Sequence, residues 1–141
     1  MSLEIRKCPA GVTALSIFFM AGSIICLIAS VSLLLPNSFI EPIWRLNPRA
    51  RAGFMTMGRW AIVLLFTIGI SCASAAIGLW RGNRYGYRFA VALIAINLTG
   101  DIINTLLGIE PRAIVGIPIA LAILLYLMSR RVRIYFASHH Q

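Results

Sequence analysis

The sequence predicts an all-α membrane protein with four transmembrane helices in an up-down-up-down bundle. Hydrophobic residues make up 60% of the 141-residue chain and charged residues only 12%, which is far more apolar than a typical soluble domain. The mean hydropathy is +0.87. Charged residues are absent over three long stretches, 8–40, 60–80 and 113–129. The later connections are short, which places consecutive helices side by side as antiparallel neighbours.

Four segments are long enough for one crossing each. A helix rises about 1.5 Å per residue and the hydrocarbon core is roughly 30 Å thick, so about 20 apolar residues make a crossing. The predicted spans are residues 11–35, 59–80, 87–107 and 112–129, the last being near the short end of the usual range. Helices are required because a backbone exposed to lipid must satisfy its own hydrogen bonds. One domain is expected over residues 1–141.

The first segment is predicted to be a retained helix rather than a cleaved signal peptide. Arg6 and Lys7 precede an apolar run, as they do in a secretory signal, but the uncharged stretch far exceeds a signal h-region. Cys26 follows Ile25, whereas a lipoprotein cleavage site has a small residue before the cysteine. The chain is therefore expected to keep this helix in the membrane.

The first loop, residues 36–58, is the largest segment predicted outside the bilayer, on the extracytoplasmic side. Three apolar residues share one helical face beside Trp44: Phe39, Ile43 and Leu46. This pattern predicts a short interfacial helix that ends at Asn47-Pro48. Asn-Pro is also a good N-cap and first-turn pair, so the second helix can begin at Pro48 and project from the membrane. Gly53 and Gly58 favour a break there equally well.

The remaining loops predict two tight hairpins. Residues 81–86 join the second and third spans. In the third loop, Gly108 can end a helix in the left-handed conformation and Pro111 can open the next helix.

The distribution of basic residues predicts that both termini lie in the cytoplasm. This orientation leaves eight basic residues inside and five outside, in agreement with the positive-inside rule. The inner set is Arg6, Lys7, Arg81, Arg84, Arg88, Arg130, Arg131 and Arg133, and the outer set is Arg45, Arg49, Arg51, Arg59 and Arg112. Aromatic residues are expected to form interfacial belts, with Trp80, Tyr85, Tyr87 and Tyr135 inside and Trp44 and Trp60 outside.

The net charge of +9 points to lipid phosphates and away from nucleic acid. The longest segment outside the membrane is only about as long as one crossing, which leaves no room for a nucleic-acid-binding module. Six arginines are predicted to contact anionic lipid: Arg81, Arg84, Arg88, Arg130, Arg131 and Arg133. The basic, aromatic tail at residues 130–141 is then a lipid anchor, with about 1 kcal/mol contributed by each arginine near the surface.

Two stretches carry a resemblance to small four-helix bacterial membrane proteins of unknown function. They read Leu79-Trp-Arg-Gly-Asn-Arg-Tyr-Gly-Tyr-Arg-Phe-Ala90 and Ala95-Ile-Asn-Leu-Thr-Gly-Asp-Ile-Ile-Asn104. The resemblance implies an architecture and no activity. Four-helix multidrug transporters of similar size depend on a carboxylate in their first helix, and the first predicted span here contains none.

The third predicted span carries a polar stripe centred on Asp101, the single acid inside the predicted spans. Asn97, Asp101 and Asn104 fall within about 60° of one another at 100° per residue. Asp101 lies roughly 20 Å along the helix from Arg88, in the outer half of the bilayer. An unpaired ionised carboxylate there costs at least ~2.5 kcal/mol. It must therefore be paired, hydrated or protonated.

Two interpretations of Asp101 stay open. In the first, Arg59 or Arg112, which begin spans at the outer interface, pairs with Asp101 to form a polar clasp that fixes helix packing. In the second, Asp101 binds a proton or a cation. Pro118 supports the second interpretation, since it frees the carbonyl of Ile114 near the same depth.

Small residues recur at close-packing spacing in the first two spans: Gly22, Cys26 and Ser30, then Gly69, Ala73 and Ala76. They serve contacts within the bundle, a homo-oligomer or a membrane-protein partner. The sequence shows no nucleophile beside a base, no cysteine pair and no glycine-rich phosphate loop, so no catalytic residue, metal or cofactor is predicted. The leading hypothesis is a non-enzymatic structural or assembly subunit of a membrane complex. The alternative is a small channel or proton- or cation-coupled transporter that uses Asp101.

Overall fold

A computed structural model describes residues 9–108 and 113–137, and its elements over these ranges are all helical. The α-helices are α1 Ala10–Leu34, α2 Pro48–Met57, α3 Arg59–Trp80, α4 Arg84–Leu106, α5 Ala113–Met128 and α6 Arg130–Ala137. A short 3-10 helix, Glu41–Arg45, lies between α1 and α2. The predicted all-α class is confirmed for the described residues.

Three of the helices, α1, α3 and α4, are each long and apolar enough to cross a membrane. Helix α5 has 16 residues, or roughly 24 Å at the usual rise per residue. It continues into α6 after a bend of 51° between Ile114–Met128 and Arg130–Ala137. If the bent pair forms one span, the candidate spans number four.

The chain divides into two compact units, which are described separately. The loop unit is Phe18–Ser74, and the hairpin unit comprises Met1–Ile17 and Ala75–Gln141. Within the loop unit, α1 and α3 run antiparallel. A methyl group added at Gly69 would lie 3.1 Å from the Leu27 side chain, and the Ser30 hydroxyl donates to the carbonyl of Ile62 at 3.4 Å. Later residues of α1 thus meet earlier residues of α3.

The first loop folds onto these two helices through Trp44. The Trp44 side chain is only 8% exposed and packs with Ala29 and Leu65. Its indole Nε1 donates to the Ser32 hydroxyl at 3.0 Å, and the Phe54 ring meets it edge-on at 5.9 Å between centroids. Trp44 therefore belongs to a buried cluster and not to the outer aromatic belt, because the 3-10 helix turns its side chain inward.

A helix begins at Pro48 as predicted, and the chain breaks after it at Gly58 and not at Gly53, which lies inside the helix. The Asn47 side chain caps α2 by accepting from the backbone N–H of Ala50 at 3.1 Å, with Pro48 in the first turn. The helix ends at Gly58, whose φ of +59° interrupts the chain before α3 begins at Arg59. Glu41 and Arg51 form an ion pair that joins the 3-10 helix to α2.

In the hairpin unit, α3 and α4 approach closely at their connection. A methyl group added at Gly78 would lie 2.5 Å from the Cα of Gly86, so glycine at both positions lets the two backbones touch. Gly82 turns the chain with φ +66°. The Asn83 side chain then caps α4 by accepting from the backbone N–H of Tyr85 at 2.9 Å. This cap starts α4 at Arg84, three residues before the predicted boundary.

Helices α4 and α5 form an antiparallel pair that is joined at both ends. The Tyr87 hydroxyl donates to the carbonyl of Leu127 at 2.9 Å, and the Asp101 carboxylate lies against Gly116. Gly108 has a φ of +65°, the left-handed conformation that the sequence predicts after the helix. Residues 109–112, which include Pro111 and Arg112, fall outside the described ranges.

Candidate functional site

Helix α6 forms from the segment that the sequence predicts as a basic tail. Its apolar residues Val132 and Phe136 are spaced by four and are fully buried, whereas Arg130, Arg131 and Arg133 are exposed. Spacing by four places two side chains on one helical face. Helix α6 is thus amphipathic, with its apolar face packed on the hairpin unit and its arginines on the surface.

Tyr87 joins the three helices at this end of the hairpin unit. Its ring stacks on that of Phe136 with 5.0 Å between centroids and an interplanar angle of 25°. Its hydroxyl group reaches the carbonyl of Leu127 at the end of α5. A half-buried tyrosine of α4 therefore holds α5 and α6 together, and its polar atom has the partner that a buried hydroxyl requires.

Four arginines line an open groove between α4, α5 and α6. Arg84 and Arg88 lie one turn apart on α4, and Arg130 and Arg133 lie one turn apart on α6. The groove has a volume of about 930 Å³. Its other lining residues are Tyr87, Val91, Met128, Ile134, Phe136 and Ala137. This set of residues is called the arginine groove below.

The positive charge of the arginine groove has no acidic partner among the described residues of the hairpin unit. The one acid described there is Asp101, which lies roughly 20 Å along α4 from Arg88. The ion pair that the structure shows within residues 9–108 and 113–137 is Glu41 with Arg51, in the loop unit. Four guanidinium groups that have no acidic partner among these described residues, over an apolar floor, favour an anion that carries an apolar portion.

The structure separates the six arginines that the sequence assigns to lipid contact. Four of them converge on the groove, whereas Arg81 and Arg131 are exposed and do not line it. The sequence did not single out Tyr87 and Phe136 as site residues. The spacing of Val132 and Phe136 by four residues was the available signal, since it marks the buried face of a helix.

Asp101 contacts a neighbour on its own helix and one on α5. The Asn97 side-chain amide donates to Asp101 Oδ2 at 3.2 Å. Across the helix pair, a methyl group added at Gly116 would overlap the same carboxylate oxygen, so the absence of a side chain there makes room for it. The Thr105 hydroxyl donates to the backbone carbonyl of Asp101 at 2.8 Å.

The arginine partner proposed for Asp101 stays a prediction. No cationic side chain lies within ion-pair distance of Asp101 among the described residues of the hairpin unit. Arg59 begins α3 in the loop unit, and Arg112 falls outside the described ranges. Asn104 is half-buried on α4. Pro118 is exposed, and α5 continues through it as an α-helix.

Part of the predicted small-residue faces is used inside the loop unit. The Cys26 side chain would lie 3.5 Å from a methyl group added at Gly69, and the Ser30 hydroxyl donates a hydrogen bond to a backbone carbonyl of α3. A methyl group added at Gly22 of α1 or Gly100 of α4 meets no atom within 4 Å. Among the described residues, the backbone of α1 at Gly22 and that of α4 at Gly100 are therefore accessible to another helix.

Comparisons with protein-family models, with curated proteins and with solved structures find no match to this chain. The functional interpretation therefore depends on the residues and contacts described above.

Proposed function

We propose that this chain is a four-span protein of the bacterial inner membrane with both termini in the cytoplasm. In this proposal it acts as a non-enzymatic structural or assembly subunit that binds anionic phospholipid at the cytoplasmic surface. The observation that carries the proposal is the arginine groove, in which two helices bring four arginines over an apolar floor. Basic pockets beside transmembrane helices on the cytoplasmic side are suited to anionic headgroups.

Three contacts within the hairpin unit support the alternating topology. Gly11, at the start of α1, lies against Tyr126 near the end of α5. Gly78, near the end of α3, meets Gly86 near the start of α4, and Tyr87 bonds to the end of α5. The beginnings of α1 and α4 and the ends of α3 and α5 therefore share one end of the unit. Helices that alternate in direction have this arrangement.

The amphipathic character of α6 supports a position at the membrane surface. In this proposal the bent pair forms the fourth crossing: α5 is its apolar part, and the 51° bend turns the basic α6 into the interface. Trp80 and Tyr85, which are 73% and 72% exposed near the same end, suit the headgroup region. The arginines of the groove would then meet lipid phosphates directly.

Lipid retention tests this function. The full chain is purified in mild detergent, exchanged into nanodiscs of phosphatidylglycerol mixed with phosphatidylcholine, and analysed by native mass spectrometry for retained lipid. We expect wild type to retain phosphatidylglycerol in preference to phosphatidylcholine. Replacing all four arginines of the groove with Gln should abolish the preference.

The control for this test replaces Arg81 and Arg131 with Gln, which removes two positive charges against four, since both residues are exposed on the same end but do not line the groove. The control should keep most of the preference. If each variant loses preference in proportion to the charges that it lacks, diffuse positive charge and not the groove selects the lipid. An unchanged preference in both would refute lipid binding by these arginines.

The subunit role is supported by the accessible backbone at Gly22 and Gly100. Small residues on a membrane helix let another helix approach closely. We expect Gly22→Leu or Gly100→Leu to weaken co-purification with a partner or a second copy at fixed stoichiometry. A monodisperse monomer that carries no partner in mild detergent would contradict this role.

A second candidate function is a small channel or a proton- or cation-coupled transporter at Asp101. The position of the Asp101 carboxylate against Gly116, bonded to Asn97 on α4, favours it. Intramembrane carboxylates commonly mark ion and proton pathways. Asp101→Asn should abolish flux in reconstituted vesicles and leave the helix content unchanged. If the same substitution lowers the unfolding temperature and wild type shows no flux, Asp101 is a polar clasp.

A further inference from the structure

We infer that the arginine groove is a specific site for one phospholipid molecule that carries two phosphate groups. The inference rests on the proposed function, because it names the class of anionic lipid that the groove selects. Four features carry it: the pairing of the arginines, the separation of the pairs on two helices, the net charge and the apolar lining.

The four arginines form two pairs, and each pair suits one phosphate. Arg84 and Arg88 are separated by four residues on α4, and Arg130 and Arg133 by three residues on α6. Side chains at these spacings are neighbours on a helix surface, with about 5–6 Å between their Cβ atoms. A guanidinium group presents a planar fork of N–H donors that matches phosphate oxygens. Two forks on one helical face can therefore hold one phosphate between them.

The two pairs belong to different helices, which are joined by a contact between two aromatic rings. Tyr87 follows Arg84 by three residues on α4, and Phe136 follows Arg133 by three residues on α6. The stacked rings of Tyr87 and Phe136 join the helices beside the arginines. The groove thus brings together two arginine pairs from different helices over a shared aromatic contact.

The charge of the groove favours a lipid with two negative charges. Four guanidinium groups face a space in which the described residues supply no acid. A lipid with one phosphate would neutralise one of four positive charges and leave one arginine pair without a ligand. A lipid with two phosphates gives each pair its own ligand, so both pairs form charge-assisted hydrogen bonds.

The apolar lining indicates a lipid and not a free phosphate compound. Val91 lies three residues beyond Arg88 on α4, and Met128 ends α5. Both side chains lie on the wall of the groove, next to the arginines and on helices that run into the apolar spans. An acyl chain can follow this wall while its phosphates remain at the arginines, as in lipid sites between transmembrane helices.

The test compares cardiolipin, which has two phosphates, with phosphatidylglycerol, which has one. The full chain is delipidated in detergent, and each lipid is titrated at equal phosphate concentration while native mass spectrometry counts bound lipid. We expect one cardiolipin per chain, bound at least tenfold more tightly than phosphatidylglycerol. Inorganic pyrophosphate, the third probe, should compete weakly because it lacks acyl chains.

Paired variants locate the two phosphate positions. Arg84→Gln with Arg88→Gln, or Arg130→Gln with Arg133→Gln, should each reduce cardiolipin affinity about tenfold and remove its advantage over phosphatidylglycerol. The control, Arg81→Gln with Arg131→Gln, removes the same charge and should keep that advantage. If a paired variant fails to fold by circular dichroism, Arg88→Gln and Arg133→Gln singly should each give a smaller reduction in the same direction.

The possible results distinguish a failure of the two-phosphate inference from a failure of the proposed function. If both lipids bind equally and both depend on the four arginines, the two-phosphate inference is overturned and anionic-lipid binding stands. If neither lipid depends on these arginines, both are overturned. If pyrophosphate occupies the groove as tightly as cardiolipin does, the assignment to a lipid is overturned, since the apolar wall would then contribute nothing to binding.

Discussion

Phe136→Ala should release α6 from the hairpin unit. The Phe136 side chain is 1% exposed, stacks on Tyr87 and meets the Tyr135 ring edge-on at 5.1 Å. Truncating a fully buried phenylalanine to alanine costs about 3–5 kcal/mol. Helix α6 has only eight residues, whereas isolated helices shorter than about 12–15 residues are marginal in water. Its helical state therefore depends on docking, and a loss of this size should undock it.

Hydrogen exchange monitored by mass spectrometry measures this effect directly. In wild type, the backbone amides of α6 should be protected from hydrogen exchange, as should those of α4 around Tyr87. In Phe136→Ala, protection should fall by 100-fold or more across α6, because 3 kcal/mol corresponds to roughly a 150-fold change. Protection should persist within helices α3 and α4. Retention of anionic lipid should fall in parallel, since Arg130 and Arg133 would no longer face Arg84 and Arg88.

The control for this prediction is Arg131→Ala, an exposed position on α6 outside the arginine groove. A surface substitution of this kind changes stability by about 0.5 kcal/mol or less. If Phe136→Ala leaves α6 protection and lipid retention at wild-type values, α6 does not depend on the Tyr87–Phe136 contact, and the account of the groove is wrong.

Two further predictions test the packing of each unit. Gly78→Ala should destabilise the protein by about 1–3 kcal/mol, the usual cost of overpacking, because the new methyl group meets the backbone of Gly86. The control is Gly100→Ala, whose new methyl group meets no atom within 4 Å and should leave the unfolding temperature in detergent unchanged. A similar loss of stability in both variants would refute the close approach of Gly78 to Gly86. Trp44→Phe should cost about 1–3 kcal/mol in chemical denaturation, since it removes the bond to Ser32 and leaves that hydroxyl without its donor. An unchanged denaturation midpoint would contradict a buried role for Trp44.

The helices were the most predictable part of this protein because their signals are local. Uncharged stretches of bilayer length predicted α1, α3 and α4 to within three residues at each end. Asn47 acts through its own side chain, which caps α2, and Gly108 through its left-handed backbone, and both do so where the sequence pattern predicts. The start of α4 was missed because Asn83 caps it within a turn that also contains glycines. A cap inside such a turn leaves little trace in hydropathy.

The sequence by itself determined that the described residues are helical, that the charges cluster outside the apolar stretches, and that Asp101 lies within a long apolar helix. These properties follow from residue order along a single helix. Tertiary structure alone decided that Trp44 is buried, that the basic tail forms α6, and that four of six arginines share a groove. Each of these depends on which distant segment a side chain packs against, and neither helical periodicity nor charge count specifies that partner.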